Sequence, residues 1–208
     1  MPQRAIEISP GAVYHPAYLD REAQLALLAD IRSVIAASPL YRPRMPRSGK
    51  EFSVQMTNCG SLGWVSDIAG YRYQPTHPET GAPWPELPEP LRAAWRELAG
   101  VDFPPEACLV NRYAEGTKLG LHQDRDEREF GAPVVSLSLG DSALFRIGGT
   151  SRRDPTRSLK LDSGDAFVFG GPARLAFHGI DRVLAGTSTL LPEGGRFNLT
   201  MRRVTPVG

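Results

Sequence analysis

Seven short segments in the second half of the chain constrain the fold most. They are ACLVNRY (107–113), PVVSLSLG (133–140), ALFRIGG (143–149), RSLKL (157–161), DAFVFGG (165–171), RLAFHGI (174–180) and RFNLTMRR (196–203). Each favours extended backbone and is bounded by Gly, Pro or Asp. Strands this short, at this spacing, predict a β-sandwich or a jelly roll. Within 133–140, Val135, Leu137 and Leu139 point one way and Ser136 and Ser138 the other. The 21 glycines and 19 prolines among 208 residues supply the turns that such a fold needs.

The first half has a different texture. Leu27, Leu28, Ile31, Val34 and Ile35 form one apolar stripe, which predicts a helix from an Asp20 N-cap to about Ala37, closed by Pro39. Leu91, Ala94, Trp95 and Leu98 fall at i, i+3, i+4 and i+7. They predict a second helix from Pro90 to about Ala99, stopped by Gly100. Between the two, residues 42–50 carry Arg42, Arg44, Arg47 and Lys50 with no acid. EFSVQMTNCGSLGW (51–64) predicts a hairpin bending at Asn58, Gly60 and Gly63, and GYRYQP follows it. Six prolines in 75–90 predict an irregular covering loop. The expected organisation is one α+β domain over 1–208, mainly β with flanking helices. A helix and loop-rich cover occupy 1–90, and a β core occupies 91–208.

Composition narrows the class. Hydrophobic content of 41%, charged content of 23% and a net charge of +1 are those of an ordinary globular protein, not of a histone-like or membrane-surface binder. The first twenty residues place a charge and two prolines where a secretory signal would have its apolar run, and no uncharged stretch is long enough to span a bilayer. Cys59 and Cys108 form no CxxC and no zinc spacing, so reduced thiols in a soluble, cytoplasmic protein are expected. Nothing suggests an obligate interface, and a monomer is expected.

Two constellations carry chemistry. In LGLHQDRDE, His122 and Asp124 are two residues apart and share a face if the backbone is extended; His178 ends the segment RLAFH. Two imidazoles and one carboxylate on one face of an octahedron leave positions open, as in non-haem Fe(II) oxygenases. HxD by itself specifies little, and a surface His beside a turn-forming Asp would read the same. In RFNLTMRR, the residues Arg196, Asn198, Thr200 and Arg202 alternate onto one face. Either this is an edge strand with solvated arginines, or the guanidinium groups meet anions, as the two ends of a dicarboxylate would provide.

Taken together these motifs resemble the AlkB family of alkylated-nucleic-acid dioxygenases. The resemblance runs in order through MTNCGSLGW (56–64), GYRYQP (70–75), NRYAEGTKLGLHQDRDE (111–127), PVVSLSLG, GGPARLAFHGI (170–180) and RFNLTMR. RxNxTxR after the second histidine is far more specific than HxD. The resemblance implies a double-stranded β-helix (jelly-roll) core with an N-terminal nucleotide-recognition lid. It implies Fe(II) on His122, Asp124 and His178, with 2-oxoglutarate and O₂ as cosubstrates. The 2-oxoglutarate contacts implied are Leu109, Asn111, Tyr113, Ser136, Arg196, Asn198 and Arg202, with Arg202 on the distal carboxylate and Arg196 on the one beside the keto group. The reaction implied is oxidative dealkylation of bases such as 1-methyladenine and 3-methylcytosine in DNA, single-stranded, or in RNA. It yields succinate and CO₂ and, from methyl lesions, formaldehyde.

On the substrate side the resemblance implies Met56, Trp64, Tyr71, Asp126 and Arg152. A flipped base needs an aromatic slot, and a cationic alkylated ring gains from a nearby carboxylate. Lys118, Arg125 and Glu127 are further pocket or phosphate candidates, and the 42–50 cations suit a phosphate backbone. His15 and His77 receive no role. Gly120 departs from members that carry a small hydroxyl residue there, which bears on base preference. Three rivals remain: a 2-oxoglutarate oxygenase acting on a protein or small molecule, a non-catalytic nucleic-acid-binding module, and a zinc hydrolase. The last would have no use for Arg196 and Arg202.

Overall fold

A computed structural model describes residues 4–208; positions 1–3 of the expected 1–90 segment lie outside the described residues. In chain order the elements are β1 (Ile6–Ser9), β2 (Ala12–His15), α1 (Arg21–Ala37), β3 (Gln55–Gly60), β4 (Gly63–Asp67), β5 (Gly70–Gln74) and α2 (Glu89–Leu98). Then come β6 (Ala107–Tyr113), β7 (Leu119–His122), β8 (Val134–Gly140), β9 (Ser142–Ile147), β10 (Arg157–Leu161), β11 (Ala166–Phe169), β12 (His178–Leu184) and β13 (Arg196–Arg202), with a 3-10 turn at Gly171–Ala173. A seven-stranded sheet has the order β1-β2-β11-β8-β13-β6-β3, and a four-stranded sheet the order β10-β9-β12-β7. The β4–β5 hairpin stands apart from both. Every named ladder is antiparallel. This is the jelly roll that the resemblance implies, and one of the two architectures that the strand pattern allows.

The alternation along β8 and β13 explains why the large sheet has two different faces. Val135, Leu137, Leu139, Phe197, Leu199 and Met201 pack with Leu27, Ile31, Leu91 and Trp95 of the two helices. The opposite face sends Leu109, Tyr113, Phe167 and Phe169 against Phe145, Ile147 and Ile180 of the small sheet. Ser136, Ser138, Arg196, Asn198, Thr200 and Arg202 share that inner side, because successive side chains of a strand alternate. Burying one large aliphatic or aromatic side chain is worth about 1.5–3 kcal/mol, so the helix-side layer anchors the sheet that presents the polar row.

Three details depart from the sequence reading. The predicted hairpin in 51–64 does not form a ladder: β3 joins the large sheet and β4 pairs with β5 instead. The Asn58 side chain replaces the missing ladder, accepting from Trp64 N at 3.0 Å and donating to Trp64 O at 3.0 Å. His178 begins a strand rather than ending one. The residues before it turn, with Ala176 N donating to Ala173 O at 2.9 Å, because the Arg174 side chain is drawn into the interior. Residue 90 is also no boundary of the sheet, since β1, β2 and β3 belong to it. The β1–β2 turn needs Gly11, whose φ is +81° and whose Cβ would lie 2.3 Å from Gly170 O. Both helices match the prediction to within a residue, and Asp20 caps α1 by accepting from Ala23 N at 2.9 Å.

Candidate active site

Strand register brings the metal candidates together. His178 at the start of β12 pairs directly with His122 at the end of β7, and the ring centroids are 4.5 Å apart. Asp124 follows two residues later on the extended exit of β7. Its Oδ1 lies 3.6 Å from His122 Nε2 and its Oδ2 3.8 Å from His178 Nε2. Among the described residues this is the cluster whose ligand atoms all fall within 4.8 Å of one another. Each imidazole is oriented from behind: His122 Nδ1 is 2.9 Å from Gly120 O, and His178 Nδ1 is 3.0 Å from Ala176 O. Nδ1–H donating to a carbonyl fixes the tautomer and leaves each Nε2 lone pair free for a metal. Phe145 and Phe169 flank the His178 ring, with centroids at 6.0 and 4.7 Å.

The electrostatics suit the same role. Burial pushes His178 down to about 4, helped by His122, so the ring is neutral at physiological pH. Burial raises Asp124, but the charges of Arg202, His178 and His122 outweigh it, and the carboxyl falls well below the usual range. Arg202 Nη2 and Nε donate to Asp124 Oδ2 at 2.6 and 3.0 Å. One neutral imidazole, a second His and an ionised carboxylate form the N₂O donor set that divalent iron accepts.

A cavity of about 580 Å³ opens in front of this cluster. It collects the expected cosubstrate residues Leu109, Asn111, Tyr113, Ser136, Asn198 and Arg202, together with Thr200. Arg196 lies behind that wall, fully buried. Its Nη1 donates at 3.2 Å to the backbone oxygens of Asp141 and Leu161, and its Nη2 donates to Ser138 Oγ. Among the described residues two buried side-chain polar atoms have no protein partner, Arg196 Nε and Asn111 Oδ1. Such atoms are costly unless a ligand completes them, and the two ends of the Asn111 amide can exchange by rotation. A polar cosubstrate therefore fits. Arg202 touches a metal candidate, whereas Arg196 lies away from it.

The substrate candidates occupy the mouth. Met56, Trp64, Tyr71, Asp126 and Arg152 all line the cavity. The Trp64 and Tyr71 rings stack on each other, 5.6 Å between centroids and 19° between planes, so they form one wall and not the two sides of a slot. Trp64 Nε1 donates to Asp126 Oδ2 at 2.8 Å. The Arg152 guanidinium sits over the Phe177 ring and donates to Leu121 O at 3.1 Å. Arg125 is exposed at the rim, while Lys118 is exposed but not among the lining residues. Arg42, Arg44, Arg47 and Lys50 are exposed; Arg44 pairs with Glu51 and Arg42 donates to Phe52 O and Ser53 O. Gly120 lines the cavity, and a Cβ there would meet nothing within 4 Å.

Three residues needed the structure to reveal their roles. Glu127, read as a pocket candidate, is buried between Arg174 and Arg202. Arg174 donates to Asp124 O at 2.7 Å and to Ala132 O at 3.0 Å, holding the metal loop from beneath. Tyr73 donates to Glu127. A signal for Tyr73 was present, since in GYRYQP it lies two residues from Tyr71 and so on the same face. His77 also has partners: its Nε2 meets Pro39 O at 2.9 Å, and its Nδ1 accepts from Glu79 N and Thr80 N, which ties down the proline-rich loop. His15 packs its ring edge against Tyr18, away from the cavity.

Known proteins agree with this geometry. Residues 11–202 match the 2OG-Fe(II) oxygenase superfamily. The alpha-ketoglutarate-dependent dioxygenase AlkB homolog of Caulobacter vibrioides is 52% identical over 200 residues, 96% of this chain and 90% of that protein. The alpha-ketoglutarate-dependent dioxygenase AlkB of Escherichia coli is 45% identical over 181 residues, 85% of this chain and 83% of that protein. The solved structure of OsALKBH1 superposes with a TM-score of 0.81 at 33% identity, covering 96% of this chain and all of that one. With the HxD…H cluster, the paired arginines and the jelly roll in place, the chain belongs to the AlkB family of Fe(II)- and 2-oxoglutarate-dependent dioxygenases.

Proposed function

We propose that this chain removes alkyl groups from N-alkylated bases, such as 1-methyladenine and 3-methylcytosine, in single-stranded DNA and also in RNA, acting as a cytoplasmic monomer. Asp124 carries the reading: one carboxylate is at once within 3.8 Å of both His Nε2 atoms and hydrogen-bonded to a buried arginine. That supports iron held by His122, Asp124 and His178 with an anionic cosubstrate beside it. Iron, when bound, would couple the oxidative decarboxylation of 2-oxoglutarate by O₂, which puts one oxygen atom into succinate and releases CO₂, to insertion of the other oxygen atom into an alkyl C–H bond; the resulting hemiaminal releases formaldehyde from a methyl lesion.

The remaining work falls to the chain. Arg202 orients the carboxylate next to the keto group, because it already sits against Asp124. Arg196, with its unpartnered Nε, takes the distal carboxylate, aided by the Tyr113, Asn111, Ser136 and Asn198 side of the cavity. Trp64, backed by Tyr71, offers a stacking wall, and stacking on a base is worth about 1–3 kcal/mol. Asp126 Oδ2 is engaged by Trp64, which leaves Oδ1 to face a cationic ring. Arg152 and Met56 complete the pocket. Within the segment up to residue 90, the β4–β5 hairpin and the 42–50 loop serve as the nucleotide-recognition lid, and the exposed cations of that loop suit phosphates. The β1, β2 and β3 strands and α1 of the same segment complete the core that continues over 91–208.

The test is anaerobic loading of the purified protein with Fe(II) and 2-oxoglutarate, then admission of O₂ with a 1-methyladenine oligonucleotide. Formaldehyde, succinate and loss of one methyl by mass spectrometry are expected together, and His122→Ala abolishes all three. Succinate formation without methyl loss would move the substrate to another class, and an unimpaired His122→Ala would overturn the metal assignment.

A further inference from the structure

The β4–β5 hairpin carries the aromatic wall yet is laddered to neither sheet. Two of its side chains nevertheless reach the loop after β7. Trp64 and Tyr73 are directly opposite in the hairpin register, so they leave the same face as neighbours. Trp64 meets Asp126, and Tyr73 meets Glu127, the next residue along. Tyr73 Oη also accepts from Arg202 Nη1 at 3.3 Å. Glu127 lies between two guanidinium groups, with Arg174 Nη2 at 3.1 Å and Arg202 Nε at 3.4 Å. Arg202 and Arg174 in turn grip Asp124 through its carboxylate and its backbone oxygen. The path from the aromatic wall to the metal cluster is therefore continuous and buried at its centre.

We infer that Tyr73 is a positioning residue coupling closure of the β4–β5 hairpin over the base to occupancy of the carboxylate site at Arg202; this rests on the cosubstrate assignment above. The contacts to Asp124 and Tyr73 use Nε and one N–H on each terminal nitrogen of Arg202. Each terminal nitrogen keeps a second N–H, which can donate to a carboxylate. A carboxylate there fixes the guanidinium plane, and that same plane is what Tyr73 needs to accept from Nη1. Ordering the side chain once serves both events, so cosubstrate and nucleic acid favour each other. Without the phenol oxygen the hairpin keeps its Trp64–Asp126 tether but loses its link to Arg202.

The test uses the Mn(II)-loaded full chain without O₂, titrated with a fluorescent single-stranded 1-methyladenine oligonucleotide with and without 2-oxoglutarate. In the wild type, 2-oxoglutarate should tighten oligonucleotide binding about five-fold or more, the usual scale of coupling between two sites. In Tyr73→Phe that ratio should fall to near one, while 2-oxoglutarate alone still binds. A ratio that survives in Tyr73→Phe overturns the proposal, because a merely structural tyrosine would shift both affinities and keep the ratio. Amide hydrogen exchange on the wild type reads the link without any variant: 2-oxoglutarate alone should slow exchange across Gly63–Gln74, and no slowing overturns the proposal. A wild type that binds no oligonucleotide in either state would sink the substrate reading instead, and the exchange experiment would still decide the coupling to the cosubstrate.

Discussion

At the scale of single residues, the site is a set of groups whose ordinary behaviour has been altered by burial and by specific partners. His178 shows this most directly. Its ring is sealed between phenylalanines and set beside another imidazole, so its proton affinity drops from 6.5 to about 4. An unfolded chain binds a proton here below about 6.5, and the folded metal-free protein does not until about 4. The contribution to stability is therefore complete above about 6.5 and is lost as pH falls through the window to about 4, on the order of 3 kcal/mol at most. Thermal denaturation of the metal-free protein should show the melting temperature falling across that window, and His178→Gln should flatten the slope. An equal slope in both proteins would assign the acid sensitivity to other groups.

At the scale of elements, the metal cluster depends on how closely β7 approaches β12. Gly179 makes that approach possible: a Cβ there would lie 2.5 Å from Leu119 O and 2.9 Å from Gly120 O, both backbone atoms of β7. Gly179→Ala should push the strands apart next to the His122–His178 pair. Overpacking of this kind costs about 1–3 kcal/mol. The expected outcome is metal affinity lowered ten-fold or more, measured by Mn(II) titration, with the far-ultraviolet circular dichroism spectrum retained. Binding at wild-type affinity would show that the register tolerates the shift. Gly120 is the contrast, since its open surroundings accept a side chain without strain.

At the scale of the molecule, the large sheet separates two functions. Its helix side is an apolar layer built on Trp95, Leu91, Leu27 and Ile31, and its inner side is the polar row facing the cavity. Trp95→Ala should lower stability by about 3–5 kcal/mol, the usual cost of removing a buried tryptophan, yet leave the KM for 2-oxoglutarate unchanged below the new melting temperature. Trp64→Ala should do the opposite, weakening oligonucleotide binding with little change in melting temperature. A shift in KM for Trp95→Ala would mean that the helical layer tunes the site and does not merely support it.

The division between what was legible in the chain and what was not follows the range of the forces involved. Period-two alternation and turn residues are local, so most strands of the second half, the faces of PVVSLSLG and RFNLTMRR, and both helices could be read directly from neighbouring residues, whereas β1 and β2 could not. The ligand set His122, Asp124 and His178 was legible because it belongs to motifs, and the structure brings these residues together. Which strand pairs with which is decided by contacts far apart in sequence. For that reason β3 left its predicted hairpin for the large sheet, and His178 opened its strand instead of closing it. The roles of Arg174, Glu127 and Tyr73 had to await the fold, because a charge is only stable in the interior when partners from distant segments meet it. Sequence spacing places Arg196 and Arg202 on one face, but only the tertiary structure sets Arg202 against Asp124. By itself the sequence determined a β-sandwich or jelly roll, which its family motifs narrowed to the jelly roll, together with an iron-binding triad and two arginines on one strand face. Packing decided which arginine stands at the metal and how the aromatic hairpin is tied to it.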